Sequence, residues 1–204
     1  MIRVLLADDH GIVRDGLKRI LAATADVQVA GEAASGDEAL ALVKANQFDV
    51  ALLDMSMPGL SGIDLIKRLK AERPGLRLLV LSMHAEHQYA ARALKAGASG
   101  YLTKDSAAEK LLGALRKVAA GGVHISDVAA TGLVSAERAP HQALSDREFE
   151  VLRLLAGGRS PTEIAGQLHL SVKTVSSHKA NIQEKLGLGG TADLVRYALE
   201  HKLL

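Results

Sequence analysis

The chain has no cysteine and no tryptophan, only four prolines, and aromatic residues make up 2% of its 204 positions. Without thiols, disulfide frameworks and thiolate metal sites are both excluded. So few rings leave little with which to sandwich a flavin. No stretch approaches the roughly 18–20 apolar residues of a membrane span. The opening MIRVLLADDH lacks the long apolar run and small-residue cleavage site of a secretory signal. A soluble cytoplasmic protein without membrane contact is expected. An excess of charge is missing too. The net charge is +2, with 16 Lys+Arg against 14 Asp+Glu in residues 1–121 and eight against seven in residues 144–204. Any nucleic-acid binding must therefore come from local placement of charge.

What is present has two patterns. Through residue 121, short apolar runs alternate with amphipathic stretches. Strands are expected at Arg3–Ala7, Val27–Ala33, Val50–Leu53, Arg77–Leu81 and Gly100–Leu102. Helices are expected at Val13–Ala23, Gly36–Asn46, Gly62–Glu72, Glu86–Ala96 and Ser106–Ala120. Such alternation indicates right-handed βαβ units and a parallel sheet covered on both faces. The fold class is an α/β doubly wound five-stranded parallel sheet. From Gly121 to about Ala143 periodicity fails, and the segment reads as a linker.

After Leu144 the pattern is helical. Ser145-Asp146-Arg147-Glu148 and Ser160-Pro161-Thr162-Glu163 are capping boxes, the second with proline at the first helical position. Ser171 is expected to cap a third helix and Thr191 a fourth, and Gly157-Gly158, Gly187 and Gly189 to end helices. The result is a small all-α four-helix domain.

Ligands of a doubly wound sheet bind outside the carboxyl ends of its strands. Three strand candidates end there in polar residues: Asp8-Asp9, Asp54 and Ser82. The fifth is followed by Thr103-Lys104. Converging carboxylates repel and call for a cation, and an all-oxygen site with few protein donors suits Mg²⁺. A lysine and a hydroxyl are what the equatorial oxygens of a phosphoryl group require. Asp54 then suits the role of a carboxylate nucleophile that accepts a phosphoryl group. His10, His84 and His87 read as ordinary loop and turn residues, and Lys67, Arg68, Lys70 and Glu72 as a solvated helix face.

Asp8-Asp9, Asp54-Met55-Ser56-Met57-Pro58-Gly59, Ser82 and Tyr101-Leu102-Thr103-Lys104 together resemble the receiver domain of two-component response regulators. The helical end, LSDREFEVLRLLAGGRSPTEIAGQLHLSVKTVSSHKANIQEKLGL, resembles the LuxR-type helix-turn-helix of the NarL/FixJ family. The resemblance implies a receiver domain over 1–121, a linker over 122–143 and a DNA-binding domain over 144–204. It makes Asp54 the phosphoacceptor, and Asp9 and Asp54 ligands of Mg²⁺, with Asp8 acting through water and Ser56 giving a backbone carbonyl. Ser82 and Lys104 would hold phosphoryl oxygens, and the Tyr101 rotamer would report the switch. The implied partners are a sensor histidine kinase, double-stranded DNA at promoter sites, RNA polymerase, and a second copy of the chain on phosphorylation. The implied function is a transcription factor under phosphorylation control. It is not an enzyme in its own right.

In such a unit the second helix lies in the major groove. Here Pro161–His169 is the supporting helix and Val172–Leu186 the reading helix. A rotation of 100° per residue from Val175 puts Val172, Ile182 and Leu186 toward the core, and Lys173, Ser176, Ser177, Ala180 and Glu184 opposite. The DNA-contacting set expected is Lys173, Thr174, Ser176, Ser177, Lys179 and Ala180, with Lys179 snorkelling toward a phosphate. Ser176 stands where the family commonly has a lysine or arginine, and Pro161 where an asparagine is usual. A phosphohydrolase of the haloacid dehalogenase kind shares the nucleophile and metal but uses an Asp-x-Asp, and here Ser56 stands two residues after Asp54.

Overall fold

The structure, a computed structural model, describes residues 1–60, 62–82, 87–104, 108–125, 139–201 and 203–204. The expected strands form β1 (Ile2–Ala7), β2 (Val27–Ala33), β3 (Val50–Asp54), β4 (Arg77–Ser82) and β5 (Gly100–Thr103). They interleave with α1 (Gly11–Ala22), α2 (Gly36–Ala45), α3 (Gly62–Glu72), α4 (His87–Lys95) and α5 (Ala108–Ala119). All pairings are parallel, and the order is β2-β1-β3-β4-β5, extended by a two-residue strand β6 (His124–Ile125) beside β5. β6 falls in the stretch read as linker. Too short to carry periodicity, it is held by the His124 amide, which donates to the Ser99 carbonyl at 3.0 Å. The helix starts expected at Glu86 and Ser106, the turn around His84, and positions 126–138 of the linker lie outside the described residues.

The strands are apolar on both faces because helices cover both. Val4, Leu6, Val50, Leu52, Leu79 and Leu81 pack with Leu21 of α1 and Leu111, Leu115 and Val118 of α5. Their alternating neighbours Leu5, Ala51, Leu53, Leu78 and Val80 face Ala39 and Val43 of α2, Leu65, Ile66 and Leu69 of α3, and Ala90 and Ala93 of α4. Side chains in a strand alternate in direction, so a run such as VALLD supplies both layers at once. Every side chain of β3, Asp54 included, is buried.

The C-terminal part opens with a 3-10 turn at Pro140–Ala143 and continues as α6 (Asp146–Ala156), α7 (Pro161–Leu168), α8 (Val172–Leu186) and α9 (Thr191–Glu200). Both capping boxes close as the sequence implies: Ser145 Oγ accepts from the Glu148 amide, and Ser160 Oγ from the Glu163 amide. α7 ends one residue early because His169 takes a left-handed conformation at φ 52°. Thr191 does not cap α9. Gly190 holds that position without a side-chain bond, and Thr191 is the first helical residue. Phe149, Leu152, Ile164, Val175, Ile182 and Leu194 fill the core of this domain. Among the described residues no helix is long and apolar enough to cross a membrane.

Candidate functional site

The sheet order reverses between β1 and β3, both central, so their carboxyl ends open one crevice. Asp8 and Asp9 leave β1 there and Asp54 ends β3. Lys104 follows β5 and is tied back by its amide, which donates to the Ser82 carbonyl at the end of β4 at 2.7 Å. The chain after Asp54 is anchored by alternation: Met55 and Met57 are buried, while Ser56 and Pro58 face out. Gly59 then turns at φ 79°, a left-handed conformation that favours glycine.

Lys104 Nζ stands 2.7 Å from Asp8 Oδ2 and 3.1 Å from Asp54 Oδ2, so one ammonium bridges both buried carboxylates. Asp8 Oδ1 accepts from the His10 amide at 2.8 Å, and Arg14 Nη1 donates to the Asp8 carbonyl at 2.5 Å. The Ser56 amide donates to the Asp54 carboxylate. Burial pushes the Asp54 carboxyl above its ordinary pKa, with the Lys104 charge opposing and the Asp8 charge adding. Burial also works against the Lys104 ammonium, but the Asp8 hydrogen bond and the charges of Asp54 and Asp8 outweigh it and raise its pKa. The pair is thus mutually stabilised in a place that is costly for either charge alone.

Asp8, Asp9, Asp54 and His10 each offer a ligand atom within 4.8 Å of the others. Three carboxylates fit a hard divalent cation that keeps waters of its own. Asp54 Oδ2, buried, has the ionic contact with Lys104 but no well-aligned hydrogen bond, so it has capacity for an incoming positive partner. The residues present fit the Mg²⁺ expected. Ser82 is buried at the same rim, and Tyr101 is fully buried in the sheet. His10, assigned to an ordinary loop from the sequence, belongs to the cluster, with Nδ1 2.9 Å from Asp9 Oδ1. Its adjacency to the acid pair was the only signal. Arg14 was missed, because its partner is a backbone carbonyl that no motif marks.

The second candidate surface is on α8. Ser171 caps this helix by accepting from the Thr174 amide at 3.0 Å. Val175 and Ile182 are buried, and Lys173, Ser176, Ser177, Ala180 and Glu184 are exposed, as the helical spacing implies. Val172 is different: placed on the core side from the sequence, it is 45% exposed. As the first helical residue it sits where α8 has only begun to pack. Thr174 is half-buried with Oγ1 2.7 Å from Ser171 Oγ. Lys179 is half-buried and donates one of its three ammonium protons to Thr191 Oγ1 at 2.6 Å.

Known proteins match this chain in two regions. A family model described as the response regulator receiver domain matches residues 4–116. A second, bacterial regulatory proteins of the luxR family, matches residues 142–198. Response regulator UvrY of Escherichia coli K12 is 36% identical over all of this chain and 96% of its own length. Oxygen regulatory protein NreC of Staphylococcus carnosus is 38% identical over all of this chain and 99% of its own. The chain belongs to the NarL/FixJ family of two-component response regulators. It is a DNA-binding transcription regulator under phosphorylation control. Among solved structures, RcsB of Salmonella typhimurium superposes with a TM-score of 0.77 at 32% identity, covering 98% of this chain and 97% of that one. An RcsB–DNA complex gives 0.64 at 33% identity, with 96% of each chain covered.

Proposed function

We propose that this response regulator, with a receiver domain at 1–121, a linker at 122–143 and a DNA-binding domain at 144–204, takes its phosphoryl group on Asp54 from a sensor histidine kinase. The observation that carries the reading is the buried Asp54 carboxylate at the end of β3, bridged to Asp8 by Lys104. An Asp54 oxygen attacks phosphorus, the bond to the donor's nitrogen or oxygen breaks, and the donor leaves with its electron pair. Lys104 and the Ser82 hydroxyl then meet the added oxygens, which need cationic and hydrogen-bonding partners. Asp9, Asp54 and the Ser56 carbonyl would hold Mg²⁺, with Asp8 acting through water, and the ion would supply charge neutralisation of the phosphoryl oxygens. Tyr101, packed in the sheet between this site and β6, is the rotamer that follows the change.

Output is binding of promoter DNA through α8, by Lys173, Thr174, Ser176, Ser177, Lys179 and Ala180, in the cytoplasm. Two solved neighbours support this reading: RcsB in complex with DNA, and two RcsB dimers bound to two parallel DNAs. With only eight cations against seven anions in residues 144–204, one domain gains little from DNA phosphates. A homodimer formed on phosphorylation would add a second set of contacts at high effective concentration, worth roughly two to four decades of affinity. RNA polymerase is the next partner on the DNA. The chain catalyses nothing beyond its own phosphorylation.

The test is labelling with a small phosphoryl donor in the presence of Mg²⁺. Native protein should gain one phosphoryl group and bind DNA more tightly, while correctly folded Asp54→Asn protein gains neither. Label retained on the Asp54→Asn protein would place the acceptor elsewhere.

A further inference from the structure

The reading face of α8 has one cation near its start, and the two residues that follow it outward are serines whose hydroxyl protons are already used. Ser176 Oγ donates to the Val172 carbonyl at 2.9 Å, and Ser177 Oγ donates to the Lys173 carbonyl at 3.1 Å. Both serines are exposed. A hydroxyl has one proton and two lone pairs. Once its proton is bound to the helix carbonyl four residues earlier, as serine within a helix can arrange, only the acceptor side faces outward. Ser171 and Thr174, one turn earlier, spend their hydroxyls on each other and on the helix cap.

We infer that Ser176 and Ser177 are specificity-determining acceptors that select operator bases presenting an amino group in the major groove, which means adenine through N6 or cytosine through N4. This rests on α8 being the helix that enters the major groove. Guanine and thymine present O6, N7 and O4 there, all acceptors. Facing them, each serine would meet oxygen with oxygen, or swing its proton outward and give up its bond to the helix. The rest of the face is complementary. Lys173 offers only donors, which suit guanine O6 and N7, and the exposed Ala180 methyl suits the thymine methyl group. A cytosine·guanine pair satisfies a serine and Lys173 together, and an adenine·thymine pair satisfies a serine and Ala180 together. With no arginine on this face, Lys173 alone can make the strong guanine contact, so selection at the remaining positions falls to these weaker, polarity-matched bonds.

The experiment uses the full-length chain, phosphorylated with a small donor and Mg²⁺, to enrich a random duplex library, in parallel with Ser176→Ala and Ser177→Ala. Alanine is the better helix former, so both variants keep α8. The positions whose preference relaxes in the variants should be adenine or cytosine in the native selection. Replacing that base by its analogue without the amino group should weaken native binding about two- to tenfold, the range for one neutral hydrogen bond. In the matching serine variant the same replacement should cost nothing further, closing a double-mutant cycle. Guanine or thymine at the serine-sensitive positions, amino removal that costs the native protein nothing, or a serine change that relaxes no position would each overturn the inference. A library in which nothing is enriched would overturn the DNA-reading assignment of α8 as well.

Discussion

Lys104 shows how one side chain sets the state of a site. Without it, two buried carboxylates would face each other at the end of the sheet, and one would take up a proton. With it, one ammonium faces both carboxylates and stands where a new phosphoryl group would need a cation. Lys104→Ala should therefore keep the fold, because the lysine lies at the rim beyond the hydrophobic layers, but lose the link between phosphorylation and output. In the native protein phosphorylation should raise DNA affinity by roughly two to four decades if a dimer forms. In the variant that gain should vanish, even where some phosphoryl group is still accepted. The comparison is a DNA titration before and after labelling, and a variant with the full native gain would reduce Lys104 to a charge that merely balances Asp8. The acid pair, Asp54 and Lys104 were legible in sequence because each stands where an apolar run stops. His10 and Arg14 were not, since their partners are set by the turn into α1 and not by a strand end.

At the scale of elements, the sequence showed what has a period and missed what does not. Among the described residues, five strands and nine helices follow from apolar spacing and capping residues, while β6 has two residues and the turn at Pro140–Ala143 only four. Thr191 looked like a cap by residue type, but the helix has already begun there, and Gly190 holds the cap position in extended backbone. The short turn nevertheless matters, because it buries His141. That ring has Nδ1 3.0 Å from Tyr197 Oη and lies edge-on to His201 at 5.3 Å. Burial, helped by the charges of His201 and Arg92, lowers its pKa from 6.5 to about 4. A folded-state pKa below the unfolded one means that the unfolded chain takes up the proton first as pH falls. The stability contributed is complete above pH 6.5 and is lost as pH drops toward about 4. The loss is on the order of 3 kcal/mol. Urea midpoints followed by helical circular dichroism at neutral and mildly acidic pH should show it. His141→Gln should be less stable at neutral pH, with a shallower acid dependence. An identical slope in native and variant protein would mean that some other group titrates.

The whole molecule has a joint that no local pattern reveals. Arg92 on α4 is 7% exposed, and its guanidinium reaches out of the α/β domain into the helical one. Nη1 donates to the Leu144 carbonyl at 3.1 Å and to Asp146 Oδ1 at 3.0 Å, and Nη2 to the His141 carbonyl at 2.8 Å. The guanidinium also lies 4.3 Å over the Phe149 ring, while Arg153 of α6 lies 4.7 Å over Tyr89 of α4. Lys67 of α3, read from sequence as one charge on a solvated face, holds the other oxygen of Asp146 at 2.6 Å. Each of these side chains is unremarkable in its own helix, and each partner is more than 45 residues away, so periodicity cannot show the pairing. The joint leaves the outward face of α8 exposed. Arg92 is the member most costly to remove, because two carbonyls and a carboxylate would each lose a donor together while remaining partly buried. Arg92→Ala should weaken the packing of the two domains by on the order of 3 kcal/mol, the scale of breaking a buried ion pair from one side. Arg92→Lys should recover little, since an ammonium cannot span three acceptors and stack on Phe149 as a planar fork does. Small-angle scattering should then show a larger radius of gyration for Arg92→Ala, and calorimetry two separate unfolding transitions where the native protein has coupled ones. Each domain keeps its own core, so the expected change is separation and not collapse. A variant as compact as the native protein, with unchanged unfolding, would show that the apolar contact of Tyr89 with Phe149 is enough to hold the domains together.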